Sequence, residues 1–223
     1  ESTCATCPTS YFCTSGIKTV CAQGEYTNTT GNAACTECEA RYYCSAGSVN
    51  ICAEGEYQPL TGKSSCNTCL VGHYCSGGAL VACSAGTYQH DEGQNGCLVC
   101  NAKHYCANGQ QYPCEPGTYQ PSTGQVTCLT CSQYNFCTGG VQTVCAQGDY
   151  QLLAGKASCD ECEADYACSN GQRTLCADGT YTDTAGQSAC SDCKVAHFCK
   201  NGGIEVCPPG FYTVVTGQSS CQP

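Results

Sequence analysis

The chain has 223 residues with 29 cysteines, no Trp and no Met, and its 8 basic and 18 acidic side chains give a net charge of -10 at pH 7. A cysteine content above roughly 8–10% is typical of a secreted disulfide scaffold, so the composition predicts an oxidising compartment and crosslinks in place of a large hydrophobic core. Nucleic acid and anionic membranes attract basic patches, so the acidic balance argues against both as partners. No apolar stretch approaches 18 residues, which excludes a membrane span in this segment.

A fixed period organises the whole chain. Cysteines recur every 31 residues at positions 4, 35, 66, 97, 128, 159, 190 and 221, and each unit reads C-x2-C-x5-C-x7-C-x13. A constant period is the signature of a tandem array in which each unit packs against its neighbours. We therefore predict repeats at residues 4–34, 35–65, 66–96, 97–127, 128–158, 159–189 and 190–220, with residues 221–223 beginning an eighth.

Within each repeat, glycines follow the cysteines at fixed spacing. One stands three residues after the third cysteine, and two more stand three and ten residues after the fourth, as at Gly16, Gly24 and Gly31. Glycine adopts positive φ freely, so each of these positions predicts a tight turn. The sequence thus predicts a small disulfide-rich fold of short β-strands and turns, arranged as an elongated rod of about seven repeats without a helix-based core.

A tyrosine stands two residues after the middle glycine of every repeat. The column comprises Tyr26, Tyr57, Tyr88, Tyr119, Tyr150, Tyr181 and Tyr212. Aromatic side chains in register along an array commonly pack against the disulfides and the next unit, so we predict inter-repeat packing for this column. The alternative is that these rings stack on sugars.

The four cysteines of a repeat allow three disulfide connectivities, and their spacing leaves all three open. The segment from Cys52-Ala-Glu-Gly-Glu-Tyr57 through Gly62-Lys-Ser-Ser-Cys66 to Cys69 resembles the C-x2-G-x-Y-x4-G-x3-C-x2-C module of ephrin-receptor-like cysteine-rich repeats. It also resembles, more loosely, the first half of TNF-receptor modules. The adjoining His73-Tyr74-Cys75-Ser-Gly-Gly78 is similar to the half-module found beside it in large surface proteins of protists and other eukaryotes.

The resemblance implies a disulfide pairing, because in those families the cysteine before Gly-x-Tyr closes a loop with the cysteine after it. It implies long-loop disulfides at Cys21–Cys35, Cys52–Cys66, Cys83–Cys97, Cys114–Cys128, Cys145–Cys159, Cys176–Cys190 and Cys207–Cys221. It further implies short-loop disulfides at Cys7–Cys13, Cys38–Cys44, Cys69–Cys75, Cys100–Cys106, Cys131–Cys137, Cys162–Cys168 and Cys193–Cys199. Cys4 is left unpaired.

Residues suited to catalysis or metal binding form no periodic arrangement. The C-x2-C pairs would also suit zinc or a redox dithiol, but zinc ribbons need thiolates in a reducing compartment and redox dithiols need a βαβ scaffold. His73, His104 and His197 share a column that other repeats fill with tyrosine or asparagine, which favours a packing or surface position. We therefore predict no metal, no cofactor and no catalytic residue, and hence no enzyme.

One standard N-glycosylation sequon, Asn28-Thr-Thr30, lies between the tyrosine and the last glycine of the first repeat. Its position on a predicted loop makes Asn28 the glycosylation candidate.

The invariant repeat length favours a geometric role. Binding proteins usually vary the loops that contact a ligand, whereas identical units give an identical rise and rotation. Because both ends fall within a repeat, we expect a segment of a longer array. The leading hypothesis is a secreted or cell-surface structural protein that forms a rod, stalk or filament. Such a protein would self-associate or assemble laterally with other extracellular proteins, and glycans are possible.

Two alternative functions stay open. A ligand-binding or adhesive receptor-like ectodomain would carry a patch of exposed, non-periodic residues, for which His90-Asp-Glu92 and Leu152-Leu153 are the candidates. A cysteine-rich surface-coat antigen of a protist would carry a lipid anchor signal on its full-length chain.

Overall fold

The computed structural model describes residues 4–223, and these residues form short β-strands and turns without a helix. The prediction of a small disulfide-rich fold of strands and turns is confirmed. The strands pair two by two in antiparallel sheets. An isolated pair of strands is marginally stable in water, so each sheet needs crosslinks and neighbouring repeats to hold it.

Each repeat contains one hairpin of two four-residue strands, and the first of these strands contains the third cysteine of the repeat. The seven hairpins are β1 (Tyr11–Thr14) with β2 (Ile17–Val20), β5 (Tyr42–Ser45) with β6 (Ser48–Ile51), β9 (His73–Ser76) with β10 (Ala79–Ala82), β13 (His104–Ala107) with β14 (Gln110–Pro113), β17 (Asn135–Thr138) with β18 (Val141–Val144), β21 (Tyr166–Ser169) with β22 (Gln172–Leu175), and β25 (His197–Lys200) with β26 (Gly203–Val206).

The two strands of each hairpin are joined by a two-residue turn. In the fourth repeat, Asn108 has a φ of 52° and Gly109 a φ of 73°. Positive φ at both central positions defines the type I′ turn, whose twist matches that of the flanking strands. The tight turn predicted from the glycine three residues after the third cysteine is therefore present.

A second, shorter pair of strands brackets the long loop of the repeat. These pairs are β3 (Glu25–Tyr26) with β4 (Thr36–Glu37), β7 (Glu56–Tyr57) with β8 (Asn67–Thr68), β11 (Thr87–Tyr88) with β12 (Leu98–Val99), β15 (Thr118–Tyr119) with β16 (Leu129–Thr130), β19 (Asp149–Tyr150) with β20 (Asp160–Glu161), and β23 (Thr180–Tyr181) with β24 (Ser191–Asp192). At the equivalent place in the seventh repeat, Tyr212 and Gln222 form a single antiparallel bridge.

The chain divides into two compact units. The first holds the described residues up to Cys100 together with Cys106–Tyr112 and Gly124–Val126, and the second holds Asn101–Tyr105, Pro113–Thr123 and Thr127–Pro223. The 31-residue period continues within each unit as a repeated set of backbone hydrogen bonds. One of these runs from the amide of the last glycine of a repeat to the carbonyl of the second cysteine, at 2.7–2.9 Å in all seven repeats.

Sulfur replaces hydrocarbon in the core of this fold. All the fully buried large side chains among the described residues are cysteines, and they form the short-loop disulfides of repeats two to seven. Tyrosine supplies the remaining apolar volume. In the first unit Tyr88 packs against Cys100 and Cys106, and in the second unit Tyr181 packs against Cys193 and Cys199.

Candidate functional site

The cysteines are joined in two series that repeat along the chain. Long-loop disulfides with a sequence separation of 14 join Cys21–Cys35, Cys52–Cys66, Cys83–Cys97, Cys114–Cys128, Cys145–Cys159, Cys176–Cys190 and Cys207–Cys221. Short-loop disulfides with a separation of 6 join Cys7–Cys13, Cys38–Cys44, Cys69–Cys75, Cys100–Cys106, Cys131–Cys137, Cys162–Cys168 and Cys193–Cys199. These are the pairs that the resemblance implies, and among the described residues Cys4 is the free cysteine and is exposed.

The tyrosine column lies at the junction between consecutive repeats. Tyr119, in repeat four, forms a parallel β-bridge with Gly140, in the hairpin turn of repeat five. The next amide, of Gln120, donates to the carbonyl of Gly140 at 3.1 Å, and the amide of Gly117 donates to the carbonyl of Cys137 at 2.9 Å. Equivalent bridges join Tyr26 to Gly47, Tyr57 to Gly78 and Tyr150 to Gly171. Tyr88 and Tyr181 are buried, whereas Tyr212 is 50% exposed.

Two glycine columns permit the repeats to approach this closely. A Cβ atom on Gly140 would overlap the backbone of Lys103, in the preceding repeat, and one on Gly117 would overlap the carbonyl of Gly155, in the following repeat. Any larger residue would push the two backbones apart and break the hydrogen bonds that join them. These glycines therefore act as spacing elements as well as turn residues.

A buried polar column, which sequence reasoning missed, follows the tyrosines directly. In repeats two to five it is glutamine, and Gln120 spans the long loop: its Nε2 donates to the carbonyl of Thr127 at 2.9 Å, and its Oε1 accepts from the amide of Ser122 at 3.1 Å. In repeats one, six and seven it is threonine, and Thr182 donates to the carbonyl of Tyr166 at 3.1 Å. The available signal was an unbroken column of Gln or Thr beside the tyrosine.

A charged cluster closes the junction between repeats five and six. One guanidinium nitrogen of Arg173 donates to both carboxylate oxygens of Glu163, at 3.0 and 2.9 Å. The hydroxyl of Tyr150 donates to the same carboxylate at 2.8 Å. The guanidinium also lies over the rings of Tyr150 and Tyr166, 4.9 and 4.6 Å from their centroids. Arg173 thus joins aromatic side chains of two consecutive repeats.

The pKa values of this cluster move in the directions that its hydrogen bonds dictate. The Tyr150 hydroxyl, followed by the Arg173 guanidinium, lowers the pKa of Glu163 below its ordinary value of 4.5. Acceptance of that hydrogen bond by the carboxylate raises the pKa of Tyr150 above its ordinary value of 10.0. The glutamate contribution to stability is therefore full above the unfolded pKa and is lost as pH falls through the folded pKa. The tyrosine contribution is full below pH 10.0 and is lost as pH rises further.

Replacing Tyr150 by phenylalanine is expected to raise the pKa of Glu163 toward 4.5, since it removes the largest cause of the shift. Carbon-detected NMR titration of the Glu163 carboxyl would measure this change. Tyr119→Phe is the matched control, because it alters the same column one repeat earlier and should leave the Glu163 titration unchanged. An unaltered Glu163 pKa in Tyr150→Phe would contradict the assignment of the hydroxyl as its main partner.

A groove of about 580 Å³ lies beside His90 in the first unit, lined by Val71, Tyr88, Gln89, His90, Gln110 and Gln111. The His90 ring stacks on the Tyr88 ring, with centroids 5.8 Å apart and planes inclined by 24°. Its Nε2 lies 3.4 Å from the carboxylate of Asp91. The residues at equivalent positions in the second unit line a smaller groove of about 310 Å³, where Pro121 replaces the histidine. The groove we call the His90 groove is thus the larger of two related concavities.

The other candidate residues from the sequence are either exposed or form a hydrogen bond within their own turn. Nδ1 of His73, His104 and His197 is within 2.9–3.1 Å of the carbonyl two residues earlier, so this column braces its own turn. Asn28 is exposed on its loop. Leu152 and Leu153 are 38% and 60% exposed.

Within residues 4–223, no three His, Cys, Asp or Glu side chains are grouped so that they could hold a metal ion. The same residues include no helix with the length and apolar character required to cross a membrane. No protein-family model matches the chain, and comparison with curated proteins finds no match.

Proposed function

We propose that this chain is a structural extracellular protein, whose disulfide-stapled repeats form a rod, stalk or filament. The observation that carries the proposal is the repetition of one junction. The same amide-to-carbonyl bonds and the same glycine contacts recur at intervals of 31 residues, and four of the junctions also have the Tyr-to-Gly bridge. Since every repeat uses its neighbour to complete its core, an insertion in one repeat would disturb the contacts on both sides of it.

The disulfides indicate an oxidising environment. We therefore propose that the protein lies outside the cell or at its surface. Fourteen disulfides in a chain of this length would not persist against cytosolic reductants. The resemblance to ephrin-receptor-like and TNF-receptor-like repeats supports the same location. The exposed Asn28 sequon would carry a glycan there.

A mechanical role requires no catalytic residue, and we propose that the protein is not an enzyme. The ionisable groups with shifted pKa values bond one another or neighbouring aromatic rings, as Glu163, Tyr150 and Arg173 do. Their partners hold repeats together, which is a structural use of charge. Self-association or lateral assembly with other extracellular proteins would extend the array.

Electron microscopy of the negatively stained protein tests the structural proposal. We expect elongated particles of uniform width that keep their form in dilute protease. Reduction with dithiothreitol in mild denaturant serves as the control and should abolish both the elongated form and the protease resistance. Compact particles from the oxidised protein would contradict the proposal.

A second candidate function, that of a ligand-binding ectodomain, is favoured by one observation. The non-periodic segment His90-Asp-Glu92 adjoins the His90 groove of the first unit, and His90 lines that groove. A repeat array can carry such a site on its surface without losing its structural role.

A further inference from the structure

We propose that the His90 groove binds a neutral saccharide of one or two sugar rings. This inference concerns a binding site and does not depend on the structural function proposed above. The groove volume of about 580 Å³ falls in the range of small-ligand sites, roughly 300–1,000 Å³. Its lining combines two aromatic rings, one aliphatic side chain and three glutamine amides. Saccharides present the complementary surface, with apolar C–H faces and a rim of hydroxyl groups.

The charged residues around the groove favour a neutral ligand over an anionic one. None of the residues that line the groove is a lysine or arginine, and the carboxylates of Asp91 and Glu92 follow His90 directly. Phosphorylated, sulfated or sialylated ligands would meet these carboxylates without a compensating cation. The amides of Gln110 and Gln111 both donate and accept hydrogen bonds, which suits hydroxyl groups.

The aromatic pair supplies an apolar platform. His90 stacks on Tyr88, and because Tyr88 is buried against the Cys100–Cys106 disulfide, the inner ring has a rigid support. The His90 side chain is 62% exposed, so its ring offers the accessible aromatic surface of the groove. The Tyr88 and His90 rings each combine an apolar face with a polar edge, and this combination allows aromatic residues to bind ligands at solvent-exposed sites.

An unpaired amide atom distinguishes this groove from the closed junction between repeats five and six. Nε2 of Gln111 is buried and has no hydrogen-bond partner among the described residues. Arg173 occupies the position of Gln111 two repeats later, and its guanidinium donates hydrogen bonds to Glu163 and Tyr150. An unmet buried donor costs about 1–3 kcal/mol, and rotation of the Gln111 amide would let it bond a ligand hydroxyl. Gln142, in the smaller groove, also has an unpaired amide atom.

The test is an NMR titration of the whole isotope-labelled chain with cellobiose, lactose and N,N′-diacetylchitobiose. At least one disaccharide should shift the side-chain amides of Gln110 and Gln111 and the ring signals of His90. His90→Ala should weaken that binding by about tenfold, equivalent to about 1.4 kcal/mol. His197→Ala is the matched control, since it removes a histidine that lines no part of this groove, and its titration should equal that of the wild type.

Three results would overturn the assignment. The first is the absence of shifts with all three sugars up to 50 millimolar, roughly the weakest affinity worth assigning to a site. The second is equal affinity in His90→Ala and wild type. The third is tighter binding of sialyllactose than of lactose, which would refute the charge argument. None of these outcomes bears on whether the repeats form an elongated structural protein, which electron microscopy decides separately.

Discussion

Replacing Gly140 by alanine is expected to destabilise the second unit by about 3 kcal/mol, far more than the same replacement at the adjacent Gly139. Both glycines occupy the type I′ turn between β17 and β18, with φ of 57° at Gly139 and 74° at Gly140. Positive φ costs a residue with a Cβ about 1–2 kcal/mol at either position. Only at Gly140 would the new Cβ also overlap backbone atoms of Lys103, and overpacking adds about 1–3 kcal/mol.

Gly139→Ala is a matched control, because a Cβ at this position meets no atom within 4 Å. The second repeat already carries alanine at the equivalent position, Ala46, with a φ of 52°. Hydrogen exchange at the amide of Gln120, which donates to the Gly140 carbonyl, would report the local loss of stability in each variant. Equal acceleration of exchange in both variants would show that turn strain alone determines the effect.

Much of this fold could be predicted because its signals recur seven times. The cysteines, the turn glycines and the tyrosines all recur with the same 31-residue spacing. A pattern that is present in seven repeats cannot be a chance match in one of them. The strands and turns follow from those positions. The second glycine of the hairpin turn is a good example, since the pair Asn108-Gly109 predicts a type I′ turn and forms one.

Other features could not be predicted because side-chain identity conceals them. The residue that precedes each hairpin adopts a positive φ in every repeat, yet it is Arg41 in the second repeat, with a φ of 76°, and Tyr134 in the fifth, with 69°. Only Gly72 has the residue type that signals such a backbone. Hydrogen bonds within the repeat, such as the one from the Arg41 amide to the Gln58 carbonyl at 2.7 Å, override a local preference of about 1–2 kcal/mol.

The His90 groove could be predicted from the sequence even less well. His90-Asp-Glu92 is recognisable as a departure from the period, but the groove beside it is formed by Val71, Gln110 and Gln111, which come from two other segments. The bond from Arg173 to Glu163 likewise depends on distances that no periodic pattern encodes. Periodicity reveals what the repeats share, but it does not reveal a groove or an ion pair formed by residues that differ between repeats.

The two series of disulfides differ in burial, and this difference sets their expected importance. Cys131 and Cys137, joined across a separation of 6, are both 0% exposed. Of Cys145 and Cys159, joined across a separation of 14, Cys145 is buried and Cys159 is partly exposed. The loop-entropy model assigns about 3 kcal/mol to the longer loop and somewhat over 2 kcal/mol to the shorter one. Loop length alone therefore predicts that the longer crosslink matters more.

We expect the opposite order: replacing both Cys131 and Cys137 by alanine should destabilise the second unit more than replacing both Cys145 and Cys159, by about 1 kcal/mol. Removal of two fully buried sulfur atoms leaves a cavity in the core, and deletion of one buried heavy atom, as in Ile→Val, costs about 0.5–1.5 kcal/mol. Guanidinium denaturation followed by hydrogen-exchange mass spectrometry would compare the two double variants, neither of which gains a free thiol beyond that of Cys4. A greater loss in the Cys145 and Cys159 variant would mean that chain entropy dominates and that the buried short-loop disulfides are not the core of the repeat.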